Sequence, residues 1–340
     1  MAQTSAFLLL CAGLCACSID DPNPIPPPGA SSPVDRLSQL GIFEGDLGLQ
    51  TPRNDFFGYE VNVSLYSDGA SKVRFVHVPE GSALHATEDR WAVPTGSYLV
   101  KTFFYPRDAR DPSLGRRLLE TRFLVKQTNG YAYSTYVWND EQTDAVASGG
   151  NLDLSVSWID ANGIEHDGDY HVPGLTLCDS CHRGRALGLR NRQMARGEAG
   201  AADDQIAQLV AAGVLDEAPE IREPLVDPFG SAPLDDRARS YLDANCAHCH
   251  ARDGSAASTK LYWAREATDA AGLPRCRSTA TVDGRDRVLV PGRPRESEFL
   301  ARMTSSDPFV RMPRGPSRVP DGAGLAVLSE WVRAMPGGCP

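Results

Sequence analysis

The sequence predicts a multidomain chain in which an all-β antiparallel sandwich or barrel is followed by a mostly α domain. Three observations carry this. Apolar and polar residues alternate in short runs, with turn signals between them, through the N-terminal half. Apolar residues recur at helical spacing beyond residue 200. A proline-bearing stretch at 219–233 separates the last third from the rest. A length of 340 residues also exceeds what one ordinary core accommodates.

In chain order, residues 1–16 read as a signal peptide. Ala6 to Ala16 is short, apolar and uncharged, too short to span a bilayer, and ends in small residues. Leu14-Cys15-Ala16-Cys17 has the form of a lipobox, which makes Cys17 the expected acylated first residue of the mature chain. Residues 17–50 then form a lipidated, proline-rich linker, stiff and extended from Asp20 to Pro33. The expected location is outside the cytosol, as a periplasmic or outer-membrane lipoprotein held to the membrane by its lipid.

Residues 51–175 are the expected β-sandwich domain. Leu152, Leu154, Val156 and Trp158 alternate with Asp153, Ser155 and Ser157, the pattern of a half-buried strand, and run into Ala161-Asn162-Gly163. Phe123 to Val125 and Tyr131 to Val137 flank Asn129-Gly130, a second hairpin signal. Tyr59 to Leu65 also alternates, and Leu99 to Tyr105 is a further strand candidate. Residues 176–218 make a helical segment in which Ile206, Leu209, Val210 and Val214 share a face after a cap at Asp203. The linker at 219–233 leads to the final domain, 234–340. There Asp235 to Cys246 and Gly324 to Met335 read as helices, the second stopped by Pro336 and Gly337.

Chemistry concentrates in two five-residue patterns. Cys246-Ala247-His248-Cys249-His250 and Cys178-Asp179-Ser180-Cys181-His182 are both CxxCH. Two thiols one turn apart suit thioether bonds to the two vinyl groups of one haem, and the following histidine suits the iron. A CxxC also binds zinc or closes a disulfide, and the two pairs together would make a four-cysteine zinc site. Downstream of His250, Met312 in Arg311-Met312-Pro313 is the expected thioether ligand on the opposite face, with Met303 as competitor. For the His182 iron, Met194, His171 and His166 are the candidates. His77 and His85 read as surface or core histidines. Cys276 and Cys339 remain, an even pair that reads as a disulfide in an exported protein.

Net charge is −10, which argues against a nucleic-acid partner bound through phosphates. The charge is uneven: Arg285 to Arg318 holds eight arginines against four acids. Such a stretch neutralises haem propionates, greets an acidic redox protein, or is simply a solvated salt-bridged surface.

Several longer stretches carry a resemblance. They are Ser64–Lys72, Pro94–Phe103, Tyr136–Ala145, Cys178–His182 with Leu187-Gly188-Leu189, Asn245–His250 and Arg311-Met312-Pro313. On these the folded part resembles a family of exported bacterial c-type cytochrome proteins, some of them dihaem. The resemblance implies that 234–340 is a cytochrome c-like domain, with haem c at its motif and a second at the first motif. Arg314 stands where small cytochromes often carry a second proline.

Three function classes follow. An electron carrier would exchange electrons with redox protein partners through haems capped on both faces. A haem enzyme of peroxidase or oxidase type would leave the His182 iron open, and Lys101, downstream of Trp91, resembles the lysine that some haem enzymes cross-link to their haem. A binding protein would use the β region, where Tyr131, Tyr133, Tyr136 and Trp138 are more simply explained as cross-strand packing.

Overall fold

In the computed structural model, residues 34–340 are described except for 88–89, 222, 269–271 and 316. The expected signal peptide and Cys17 lie outside the described residues. The described residues build twelve strands: β1 (Phe57–Gly58), β2 (Ser71–His77), β3 (His85–Ala86), β4 (Trp91–Ala92), β5 (Tyr98–Pro106), β6 (Arg116–Gln127), β7 (Gly130–Trp138), β8 (Ala145–Ser148), β9 (Leu152–Ile159), β10 (Glu165–Val172), β11 (Ser278–Val282) and β12 (Arg285–Arg287). Its helices are α1 (Leu175–His182), α2 (Asn191–Met194), α3 (Gln205–Ala211), α4 (Leu234–Asn245), α5 (Glu298–Thr304) and α6 (Gly322–Ala334).

One antiparallel sheet dominates, in the order β1-β2-β5-β6-β7-β8. Its central strands are rich in β-branched and aromatic residues, which fit a pleated buried surface. β6 and β7 turn at Asn129, with Gln127 opposite Gly130, and Gly130 takes the positive φ that this hairpin needs. β9 and β10 turn through Ala161-Asn162-Gly163 in the same way.

Side chains alternate across a strand, so β5 serves two faces. Tyr98 and Val100 point to one, where Leu37, Leu40, Ile42 and Phe56 of the leading segment cover the sheet. The other face has two apolar patches. Phe103, Tyr105 and Leu119 lie under Val156, Tyr170 and Val172 of the β9–β10 hairpin. Val76, Leu99 and Leu124 lie under Leu189, Met194, Ile206 and Leu209. Between these patches the same face carries charges, and these position the site.

The architecture is β-rich, with a large antiparallel sheet, but it is neither a barrel nor a sandwich of two comparable sheets. The two-stranded β9–β10 hairpin packs on one part of the sheet face as a second layer of strands, and the short β3–β4 pair adds Ala86 and Trp91 to the neighbouring patch. Tyr59 to Leu65, expected as a strand, is irregular, because partners far along the chain take its backbone groups. Asn62 N–H donates to Gln193 O at 2.8 Å, Val63 N–H to Gln193 Oε1 at 2.9 Å and Glu60 N–H to Gln205 Oε1 at 2.7 Å. The cap of α3 is Asp204, not Asp203: its carboxylate accepts from Ala207 N–H.

The C-terminal part is not the mostly α domain expected. α4, α5 and α6 pack Tyr241, Leu242, Leu300, Leu328 and Trp331 into one core, but Trp263, Val288 and Leu289 of irregular segments share it, and β11–β12 form a hairpin beside it. Between α5 and α6, Pro308, Pro313 and Pro320 have no N–H to give, so no helix runs through that stretch.

Candidate functional site

α1 carries Cys178, Cys181 and His182. Three-residue spacing puts the two sulfurs on one helix face, and Arg183 ends the helix in the left-handed region at φ 45°. His182 packs against Tyr133 of β7 with ring centroids 5.5 Å apart. Its Nδ1–H donates to Arg185 O at 2.8 Å, which leaves Nε2 with its lone pair. Burial first, and the Lys101 charge second, push the imidazole down to about 3, so it is neutral at physiological pH.

Cys246 sits where α4 ends. Its carbonyl accepts from Cys249 N–H at 3.2 Å and from His250 N–H at 2.9 Å, winding the second motif into one tight turn. Gly254 lets the following loop fold back: a Cβ there would lie 2.0 Å from Cys249 O. Burial raises the Cys246 thiol to about 12. His250 is driven toward its neutral form mainly by burial, and its Nδ1 is buried without a hydrogen-bond partner.

The two motifs meet. Cys181 Sγ, a ring nitrogen of His248 and Cys249 Sγ all lie within 4.8 Å of one another. A hydrogen bond links Cys181 and Cys249; it pushes the Cys181 thiol up and Cys249 down toward thiolate, with His248 and Ser255 adding to the latter. Arg185 fastens the pair from outside. Its Nε–H donates to His182 O at 3.2 Å and an Nη2–H to His248 O at 3.2 Å, while Nη1 pairs with Asp253 at 3.4 Å. His248 and Arg185 are functional candidates that the sequence reading missed. His248 is an interior position of its motif, and Arg185 becomes informative only once the two motifs are neighbours.

Beside them lies a cavity of about 440 Å³, lined by Val61, Leu187 and Ala247 and, on the sheet side, by Arg74 and Lys101. The charged sheet face comprises Lys72 and Arg74 of β2, Lys101 of β5, and Glu120 and Arg122 of β6. Glu120 is fully buried. It accepts two bonds from Arg122, at 2.9 and 2.6 Å, and one from Tyr170 Oη at 2.7 Å.

The other expected ligands are dispersed. Met194 is buried among Leu189 and Leu209. His171 is bonded to Asp153 at 2.6 Å, and His166 to Asp160 at 3.0 Å while stacked on Trp158. These three are therefore engaged in packing or hydrogen bonding. Met312 is half-buried in the loop after α5, its N–H donating to Arg302 O at 3.0 Å. Arg302 is among the charges acting on His250. Met303 packs against the C-terminal core. Cys276 and Cys339 form a disulfide, Cα atoms 5.2 Å apart, while Cys178, Cys181, Cys246 and Cys249 are free. His77 pairs with Asp55 and His85 with Asp216.

Four unbridged thiols stand in two pairs, each pair is followed by a histidine held neutral, one of these has Nε2 freed by a backbone bond, and the other has an orphaned ring nitrogen. Comparison with protein-family models, with curated proteins and with solved structures finds no match to this chain.

Proposed function

We propose that this chain is an exported, lipid-anchored c-type cytochrome that passes single electrons between redox protein partners. Cys246 and Cys249 hold one haem c and Cys178 and Cys181 a second, with His250 and His182 as axial ligands and Met312 opposite His250. Haem at these positions would supply one-electron chemistry between ferric and ferrous iron. The sequence α4, motif, Met312 loop and α6 follows the order of a small class I cytochrome c, carried here with less helix.

The observation that supports this best is the convergence of the two motifs, which are far apart in the chain and meet at Cys181 and Cys249. Sites so placed are close neighbours, as an internal electron relay needs. The chain's own residues supply the setting. His182 is oriented by Arg185 O and packed against Tyr133 of β7, and Arg185 ties the motifs together. Around the exposed Phe309, Arg311 and Arg314 make a basic apolar surface suited to an acidic redox partner. No helix of the described residues is long and apolar enough to cross a membrane; the proposed anchor is an acylated Cys17, read from the Leu14-Cys15-Ala16-Cys17 sequence.

A second reading makes the His182 iron open and catalytic. It is favoured by the engagement of Met194, His166 and His171 elsewhere.

The test is a pyridine-haemochrome assay with haem-stained gel, on chain expressed alongside cytochrome c maturation machinery. Two covalent haems per chain support the proposal, and a high-spin component would favour the catalytic reading. Absence of haem with one zinc per chain would overturn it and assign Cys181, His248 and Cys249 to a metal ion.

A further inference from the structure

We propose that the cavity beside the cysteine motifs is an anion site, with Lys101 and Arg74 as its recognition groups and a small carboxylate-bearing molecule as its ligand. Lys101 lies directly across from Arg74 on β2 and from Arg122 on β6, so three like charges form one row on a face turned to the interior. Like charges directly opposite one another on neighbouring strands repel, and a fold tolerates the row only where something offsets it.

Within the described residues little does. Glu120 is the one acid of this face, and Arg122 and Tyr170 already occupy it. Lys72 is satisfied by two carbonyls, Leu65 O at 2.6 Å and Ala70 O at 3.1 Å, which are neutral. Arg74 donates to the Ser64 hydroxyl at 3.2 Å, also neutral. The Lys101 ammonium forms no hydrogen bond or ion pair with a described residue; it lies 5.3 Å from the centre of the Phe103 ring. Of the acids lining the cavity, Asp243 is bonded to Arg190, and Asp253 to Arg90 and Arg185. That leaves Glu266 alone against Arg74 and Lys101.

A partly buried cation with no acid bonded to it is costly to hold, and a carboxylate entering the cavity would meet an ammonium and a planar guanidinium suited to it. Lys72 and Arg122 add field from behind. Two sources present carboxylates here: a free small acid, and the propionates of haem held at the adjacent motifs. The second source rests on the function proposed above; the anion site itself does not.

The experiment is calorimetric titration of the full chain with succinate, haem content being measured separately on the same sample. Succinate should bind at one site and the neutral diamide should not. Lys101→Met should weaken binding roughly tenfold or more. Lys101→Arg should retain it, and Lys260→Met, at an exposed lysine, should leave it unchanged. Binding in the haem-loaded chain assigns the site to a free acid. Binding only in the Cys178→Ser/Cys181→Ser chain assigns it to propionate. Failure of succinate in both, equal binding by Lys101→Met, or equal binding of the diamide overturns the proposal. Because the diamide control needs no variant, a misfolded Lys101→Met would not leave the question open.

Discussion

Lys101 and Glu120 face the same interior and carry opposite consequences. Burial first, then Arg122 and Arg74, bring Lys101 down to about 7. The unfolded lysine titrates near ~10.4. Below pH 7 both states hold the proton and the folded state bears the full burial cost. Between pH 7 and ~10.4 the unfolded state binds the extra proton, so stability rises with pH across that window. Lys101→Met removes the cost and should stabilise the chain by about 1–3 kcal/mol at pH 6, a gain that shrinks toward zero by about pH 10. Urea unfolding at the two pH values checks this, and a gain independent of pH would contradict it. Glu120→Gln should do the reverse. It strands the buried Arg122 charge and should cost about 3–5 kcal/mol in the same assay. At the proposed haem, Met312→Ala should lower the midpoint potential, because it removes the thioether that raises it. An unchanged potential on redox titration would remove Met312 from the ligand set.

Elements meet at least as closely as side chains do. α4 and α6 cross at Gly324, where an added Cβ would fall 2.4 Å from the Tyr241 ring. The ring is not free to move aside, since Tyr241 Oη donates to Asp321 at 2.8 Å and Asp321 caps α6 by accepting from Gly324 N–H at 2.9 Å. Gly324→Ala should therefore destabilise the C-terminal core by about 1–3 kcal/mol despite the better helix propensity of alanine, as thermal unfolding would show. Locally encoded elements were legible in the sequence. The turns at Asn129-Gly130 and Asn162-Gly163, the apolar face of α3, and the helices α4 and α6 follow from residues a few positions apart. Tyr59 to Leu65 was misread because its alternation reflects burial against Gln193 and Gln205 rather than strand pairing. Both CxxCH motifs were readable as motifs. Their convergence, and the roles of His248, Arg185 and the cations on the sheet, were not, because tertiary packing alone creates them.

At the scale of the molecule, the sheet-bearing half and the C-terminal core are joined by polar contacts around one loop. Tyr66 N–H donates to Asn245 Oδ1 at 2.7 Å, and the Asp68 carboxylate accepts from Arg318 N–H and Val319 N–H at 2.8 and 2.9 Å. The Asp68–Arg318 contact holds the end of the Met312 loop, and the Cys276–Cys339 disulfide encloses that same loop. The sequence separation it closes is 63 residues, spanning β11, β12, α5 and α6. Closing a loop of that size restricts the unfolded chain by about 4 kcal/mol in the chain-entropy account. The cost of losing it falls on the part with the least regular secondary structure to fall back on, since prolines interrupt the stretch between α5 and α6. Cys276→Ser/Cys339→Ser should therefore lower the urea midpoint by an amount equivalent to about 2–4 kcal/mol. Wild-type chain held in reductant should behave like the double variant. If the variant and the oxidised chain unfold together, the loop is already restrained by its packing on α4 and by Asp68, and the disulfide adds only a kinetic lock.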